Sequence, residues 1–257
     1  NLARACREFG FGMGLGSCRP LLEDKRWEDF SVRNLIGDEA PLYTNFGIAQ
    51  LEELLDYSQV SKLDEITKKL QATGIIIHIN PLQEFAQPEG DRYSKPALDS
   101  IKRFLDQTSF PVIVKEVGQG IGPKSLEELV KLPLEAIEFA GFGGTNFTLL
   151  EKARQRGISD YHAKHLQMIG SIGHTPSQMI DWINSFDFEL TCQSFIISGG
   201  IDNPVEGHIL NEKLQYKSVI GMASQFLKYA TGEYTELENY INSLLETYKL
   251  CSEFIRG

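Results

Sequence analysis

The sequence predicts an α/β fold, specifically a (β/α)8 barrel, from three observations. Short apolar runs alternate with longer amphipathic segments along the whole chain, and such alternation implies a parallel sheet with helices outside it. Glycine-rich segments, GLGS, TNFG, EVGQG, GFGGT and SGG, follow the apolar runs in phase, at the strand ends where barrel enzymes assemble their sites. The length of 257 residues, with no linker or low-complexity stretch, suits a single domain over 1–257.

Taken in order, Asn1–Phe9 reads as a helix and Gly12–Gly16 as the first strand. Pro41–Asn45 is the second strand, followed by apolar residues at helical spacing in Gln50–Leu55 and Lys62–Leu70. Gly74–Asn80 is an apolar run that turns polar at His78, and Lys95–Thr108 is again helical. Pro111–Val117 is a strand, and Ser125–Lys131 a helix opened by Ser125 and Glu128 as a capping box. Ala136–Ala140 is a strand, and the polar, poorly periodic Lys152–Ile169 is expected to be a surface loop. Ser194–Ser198 and Ser218–Met222 are the last strands, and Thr235–Phe254 a long terminal helix. A barrel of this kind needs eight strands. The expectation is that the first lies ahead of Asn1, where no methionine stands.

A net charge of −10 and a pI of about 5.1 argue against nucleic acid or an anionic membrane as partner. Cys6, Cys18, Cys192 and Cys251 form no CxxC pair, which suits reduced thiols and a cytoplasmic location. No apolar run reaches the length of a membrane span. A small-molecule ligand is therefore expected.

The chemistry concentrates in HINPLQEFAQPEGDR, His78–Arg92. Residues two apart on a strand share a face, so His78 and Asn80 point the same way and can bind an oxyanion without adding negative charge. Gln83 and Glu84 follow, and Glu89, Asp91 and Arg92 form either a closing loop or a polar turn. Lys115 stands inside the apolar strand VIVKEVG. It is a Schiff-base lysine, a cation beside a flavin or phosphate, or a structural partner of Glu116; strand alternation weakens the last. Backbone N–H groups of Gly199, Gly200, Ala223 and Ser224, in SGG and GMAS, can cradle a phosphate after late strands. Arg19 in GSCR suits phosphate recognition or a surface ion pair equally. His162 and His165, at i and i+3, read as a solvated helix face before a metal pair.

In that order, GSCR, TNFG, HINPLQE, QPEGDR, VIVKEVG, GFGGTN and SGG resemble type 2 isopentenyl diphosphate isomerase, from about Gly12 to Ser224. The resemblance implies an FMN-dependent (β/α)8 barrel of isoprenoid biosynthesis that interconverts isopentenyl and dimethylallyl diphosphate. It implies reduced FMN and Mg2+, NADPH or another reductant for the flavin, and a homotetramer or homo-octamer. It places Ser17, Asn45, Lys115, Thr145, Gly199, Gly200, Ala223 and Ser224 around the flavin. It gives Arg19, His78, Asn80 and Gln83 to the substrate and Glu84 to Mg2+, with Lys115, Gln83 and His78 as the catalytic groups. There are departures. The family's N-terminal Arg-Lys pair and first-strand Met-Thr-Gly-Gly segment are absent, Cys18 stands where many relatives carry glutamine, and GMAS lacks an arginine. The competing readings are an FMN-dependent 2-hydroxy-acid oxidoreductase, a Schiff-base aldolase using Lys115, and a non-catalytic flavin-binding barrel. For the oxidoreductase, His174 is the only late histidine before SGG, and no arginine accompanies it.

Overall fold

Seven parallel strands pair strictly in sequence order, β1 to β7, in a computed structural model that describes residues 1–91 and 95–255. They are β1 (Met13–Gly14), β2 (Leu42–Gly47), β3 (Gly74–His78), β4 (Val112–Lys115), β5 (Ala136–Glu138), β6 (Ser194–Ser198) and β7 (Lys217–Gly221). Each expected strand is present, and β1 is the shortest, at Met13–Gly14. Among the described residues β1 pairs only with β2 and β7 only with β6, so the curled sheet is open along one side.

Alternation divides the sheet into two faces. Ile75, Ile77, Val112, Val114, Ile137, Phe195 and Ile197 point outward and are fully or almost fully buried beneath the helices. That double coverage explains why these strands read as unbroken apolar runs. The inner face carries a smaller cluster of Ile76, Ile113 and Ala136, with Tyr43 and Ile196 packed against it. At the open edge the inner side chain of Val219 is 61% exposed. Outside the sheet, the helix Leu2–Phe9 ties the two edges together. Ala5 packs with Leu237 and Ile241 of the terminal helix Tyr234–Phe254, and Asn1 Nδ2 donates to the carbonyls of Ala230 and Gly232 at 3.0 and 2.9 Å.

Two expectations fail. The helix near Ser125 starts earlier, as Pro123–Leu129 with Gly122 at its cap, so the Ser125–Glu128 capping box does not form. Proline at the first helical position is pre-set for that start and loses no needed N–H. The stretch Lys152–Ile169 is not a loop but the end of one helix, Phe147–Arg154, and most of another, Asp160–Gly170. Asn146 caps the first, its side chain accepting from the Leu149 amide at 3.0 Å. The second approaches so closely that a Cβ at Gly170 would overlap the Leu149 side chain. Packing stabilises these helices where periodicity is weak. Short helices with proline in the first turn, including Pro81–Ala86, Pro176–Ser185 and Pro204–Lys213, complete the connections.

The outer face carries most of the core, and Phe195 is central to it, 1% exposed and packed against Phe139 and Tyr216. Phe195→Ala is expected to lower the unfolding free energy by about 3–5 kcal/mol, measured as a shifted urea midpoint with an unchanged slope.

Candidate active site

The parallel register sets the chemistry. Gly47, His78, Lys115, Glu138 and Ile196 are successive partners across β2 to β6. One pleat earlier the same inner face is apolar, with Ile76, Ile113 and Ala136 in register. The inner face thus changes from hydrocarbon to His78, Lys115 and Glu138 in a single step, at the C-terminal ends of the strands. Glu138 was not among the expected groups, though a carboxylate at an inward strand position is a legible signal. Its Oε1 accepts from Ser198 Oγ at 3.1 Å.

His78 Nδ1 lies 2.8 Å from Asn45 Oδ1, while Asn45 Nδ2 donates to the Leu15 carbonyl at 2.9 Å. That second bond orients the amide with its oxygen toward the ring, so Nδ1 carries the hydrogen. Burial, aided by the nearby Lys115 charge, depresses the His78 pKa from 6.5 to about 4. The neutral ring therefore offers Nε2 as an acceptor. Nε2 is thus not the neutral donor expected toward an oxyanion and donates only when the ring is protonated and charged. Asn45 spends both ends of its amide on this arrangement.

β3 ends at His78, and Asn80 is the N-terminal cap residue of the helix Pro81–Ala86 instead of a strand residue. Proline at position 81 starts that helix and swings Gln83 and Glu84 back toward Asn80. Asn80 Nδ2 donates to Gln83 Oε1 at 3.2 Å and to Glu84 Oε1 at 2.8 Å. Glu84 Oε2 accepts from the Asp91 amide at 2.8 Å. Asp91 in turn accepts from Arg19 at 3.3 Å and from Gln50 Nε2 at 3.0 Å. Arg19, Asn80, Gln83 and Glu84 are thus brought into one network through Asp91, and Arg19 is ion-paired in this state. Arg92, also expected in this loop, lies outside the described residues.

Glu151 is the second site residue missed from sequence: no element was assigned at its position, and its helix runs into the stretch from Lys152 that was read as a loop. It is 6% exposed and accepts from Gln83 Nε2 at 3.3 Å, Gln87 Nε2 at 2.9 Å and Arg154 at 3.3 Å.

Lys115 Nζ donates to the Glu116 carbonyl at 2.8 Å. The Glu116 carboxylate faces the other way, as alternation requires, and accepts from the amides of Val117, Gly118 and Gln119 at 2.5–2.6 Å and of Gly120 at 3.1 Å. Desolvation raises its pKa, and those amide bonds act to lower it.

The residues expected to cradle a phosphate, Gly199, Gly200, Ala223 and Ser224, follow β6 and β7, and the first two meet the loop after β5. Gly199 and Gly200 have φ of +105° and +79°, and a Cβ on either would overlap the backbone of Gly141 or Gly143. The two glycine loops therefore pack backbone to backbone. Thr145, Gly200, Ala223 and Ser224 form an exposed rim there, and Ser17 is exposed at the end of β1. His174 stands apart, edge-on to Trp182 at 5.0 Å. His162 and His165 lie on the helix Asp160–Gly170, and among the described residues no group of three or more acids, histidines or cysteines is gathered to hold a metal ion. The four cysteines are free and buried, and no helix among the described residues is long and apolar enough to cross a membrane.

No family model matches the chain. The isopentenyl-diphosphate delta-isomerase of Rickettsia felis is 32% identical over 250 residues, which cover 97% of this chain and 69% of that protein. The chain belongs to the isopentenyl-diphosphate delta-isomerase family. A member from Hydrogenovibrio crunogenus is 28% identical over 257 residues, 100% of this chain and 72% of its own length. One from Methanosarcina barkeri reaches 38% over 168 residues, 64% of this chain and 44% of its own length. The likeness to this family thus spans all seven strands, including the segments that carry His78, Asn80, Gln83, Glu84 and Lys115.

The depressed pKa of His78 has a consequence for stability. Between about pH 6.5 and pH 4 the unfolded chain binds a proton at His78 that the folded chain does not. Stability contributed by neutral His78 is thus complete above pH 6.5 and is lost as pH falls toward 4, at no more than about 1.4 kcal/mol per pH unit. Denaturant titrations across this range should show the slope, and His78→Asn should flatten it.

Proposed function

We propose that this chain is an isomerase of isopentenyl and dimethylallyl diphosphate of the FMN-dependent type, built as a (β/α)8 barrel whose remaining strand sits between β7 and β1. The observation that carries the reading is the network joining Arg19, Asn80, Gln83 and Glu84 through Asp91, at the strand ends that also carry His78 and the inward Lys115. A diphosphate needs a cation, hydrogen-bond donors and a metal; Arg19 is the cation, Asn80 a donor, and Glu84 a carboxylate that would hold the metal. The closed barrel accounts for Val219, an inner-face side chain left open at the β7 edge.

The residues fit both groups the reaction calls for. Phosphate binding by backbone needs turns without side chains in the way. Gly199 and Gly200, at positive φ and with no room for a Cβ, meet that need; Ala223 and Ser224 would complete the FMN phosphate cradle. Ser17, Asn45, Thr145 and Lys115 would border the rest of the cofactor. Glu84 offers a single carboxylate, which suits Mg2+, an ion that takes one or two carboxylates and fills its shell with phosphate oxygens and water. Reduced FMN, when bound, supplies the proton transfer at carbon, and NADPH or another reductant would keep it reduced.

The chain's own groups then have distinct tasks. Arg19 exchanges Asp91 for the diphosphate. His78 is neutral because burial penalises its charge; a diphosphate would offset that penalty, so the ring would take up a proton and donate it as a hydrogen bond from Nε2. Asn80 keeps one amide hydrogen on Glu84 and turns the other from Gln83 Oε1 to a phosphate oxygen. Gln83, held by Glu151, borders the isoprenoid carbons without adding charge. Lys115 stabilises negative charge that builds up beside it. A homotetramer or homo-octamer in the cytoplasm belongs to the same reading.

The test is anaerobic incubation with FMN, dithionite, Mg2+ and isopentenyl diphosphate, looking for dimethylallyl diphosphate; oxidised FMN is the control. Product only with reduced flavin supports the proposal, and bound flavin without product refutes it. Glu84→Gln should lower turnover about tenfold or more and raise the Mg2+ needed for half activity, with FMN still bound. Lys115→Ala should lower kcat about a hundredfold while oxidised FMN binds nearly as before.

A further inference from the structure

Gln119 is 5% exposed and uses every polar atom it has. Its amide N–H donates to Glu116 Oε2 at 2.5 Å, and its carbonyl accepts from the His174 amide at 2.8 Å. Its side-chain Nε2 donates to the carbonyls of Ile172 at 2.8 Å and Ile169 at 3.4 Å, and its Oε1 accepts from Thr148 Oγ1 at 3.0 Å. Thr148 is 1% exposed and sits on the helix Phe147–Arg154, three residues before Glu151. Residues three apart on a helix lie on the same face. One buried amide thus joins the loop after Lys115 to the helix that presents Glu151 to Gln83.

We infer that Gln119 and Thr148 are a positioning pair that holds the Glu151 carboxylate against Gln83, an assignment that rests on the isomerase reading. The helix needs such a tie. It is eight residues long and weakly periodic, and it packs chiefly against the helices Asp160–Gly170 and Pro81–Ala86. Its cap residue, Asn146, restrains only the first turn, through the Leu149 amide and the Gly170 carbonyl. The Thr148–Gln119 bond is the side-chain restraint on that helix from the strand side. Gln119 is itself fixed by the Glu116 carboxylate, whose four amide contacts shape the loop directly beyond Lys115. A rotation of the helix that lengthens the Glu151–Gln83 contact, 3.3 Å here, releases Gln83 from the reacting carbons and leaves the diphosphate contacts of Arg19, His78 and Asn80 alone. The signature is therefore a loss in kcat without a loss in substrate binding.

The experiment compares Thr148→Val, Thr148→Ser, Glu151→Ala and the Thr148→Val/Glu151→Ala double variant with wild type. Each is checked for folding by circular dichroism and for bound FMN. Thr148→Val, nearly the same shape without the hydroxyl, should lower kcat roughly tenfold or more with KM within about twofold. Thr148→Ser, which keeps the hydroxyl, should recover most of the loss. In the Glu151→Ala background Thr148→Val should add nothing, because the acceptor it positions is gone. A Thr148→Val kcat close to wild type, a change confined to KM, no recovery with serine, or losses that multiply in the double variant would each overturn the inference. If wild type shows no isomerase activity, the isomerase reading fails on its own. Amide hydrogen exchange of Phe147–Arg154 then decides the positioning role: faster exchange in Thr148→Val supports it, and unchanged protection overturns it.

Discussion

Everything at the site depends on the register of the parallel sheet. Because His78 pairs with Lys115 and Lys115 with Glu138, three polar side chains emerge on the inner face at one level, directly above an apolar layer. A slip of one residue on any strand would exchange faces. A slip of β3 would send His78 into the outer core beside Val114, and a slip of β4 would send Lys115 there beside Ile77 and Ile137, where a charge has no partner, while an aliphatic side chain would take the place of the lysine. The outer core is thus a condition of the chemistry as well as a source of stability. The same burial that secures the register also desolvates His78 and depresses its pKa.

Strand positions were the most legible part of the sequence. β3, β4, β5 and β6 are covered on both faces, so their composition alone marks them, and Lys115 stands out against that background as the single cation in VIVK. His78, Asn80, Gln83 and Glu84 could be singled out as a group because they follow such a strand without a break. Their local geometry was less legible. Asn80 belongs to a helix cap, and only the backbone turn at Pro81 brings Glu84 back within 2.8 Å of its amide. What was hidden was whatever depends on contacts distant in sequence. Glu151 lies 68 residues from Gln83, on a helix whose stability comes from Thr148 and Gly170 being buried. A polar, aperiodic stretch looks like a loop until the surface that covers it is known.

The glycines illustrate a different limit. Five glycine-bearing segments in phase pointed to a ligand face, and the simpler account was that they make tight turns. In the structure Gly199, Gly200 and Gly144 do something else as well: they let the loops after β5 and β6 touch backbone to backbone, where any Cβ would collide. Close loop packing and an anion cradle are not alternatives, since the absence of side chains that permits the first also leaves main-chain N–H groups accessible for the second. Glycine at these positions is required by the packing whichever anion is bound.

Charge is handled with comparable economy. The protein carries a net charge of −10, yet the ligand proposed for this site is itself strongly anionic. The acids nearest the site are therefore engaged by donors. Asp91 takes Arg19 and Gln50, Glu84 takes Asn80 and the Asp91 amide, Glu151 takes two glutamine amides and Arg154, and Glu116 takes four backbone amides. Such pairing lowers the repulsion an incoming diphosphate meets, and it keeps Arg19 in place before the ligand arrives. Exchange of Asp91 for phosphate oxygens at Arg19 then trades one charge-assisted bond for another. The net electrostatic gain on binding has to come from groups whose charge changes when the ligand is present. In the proposed function His78 and a metal held by Glu84 would be the two that qualify, and both residues lie on the segment that leads from β3 into the helix Pro81–Ala86.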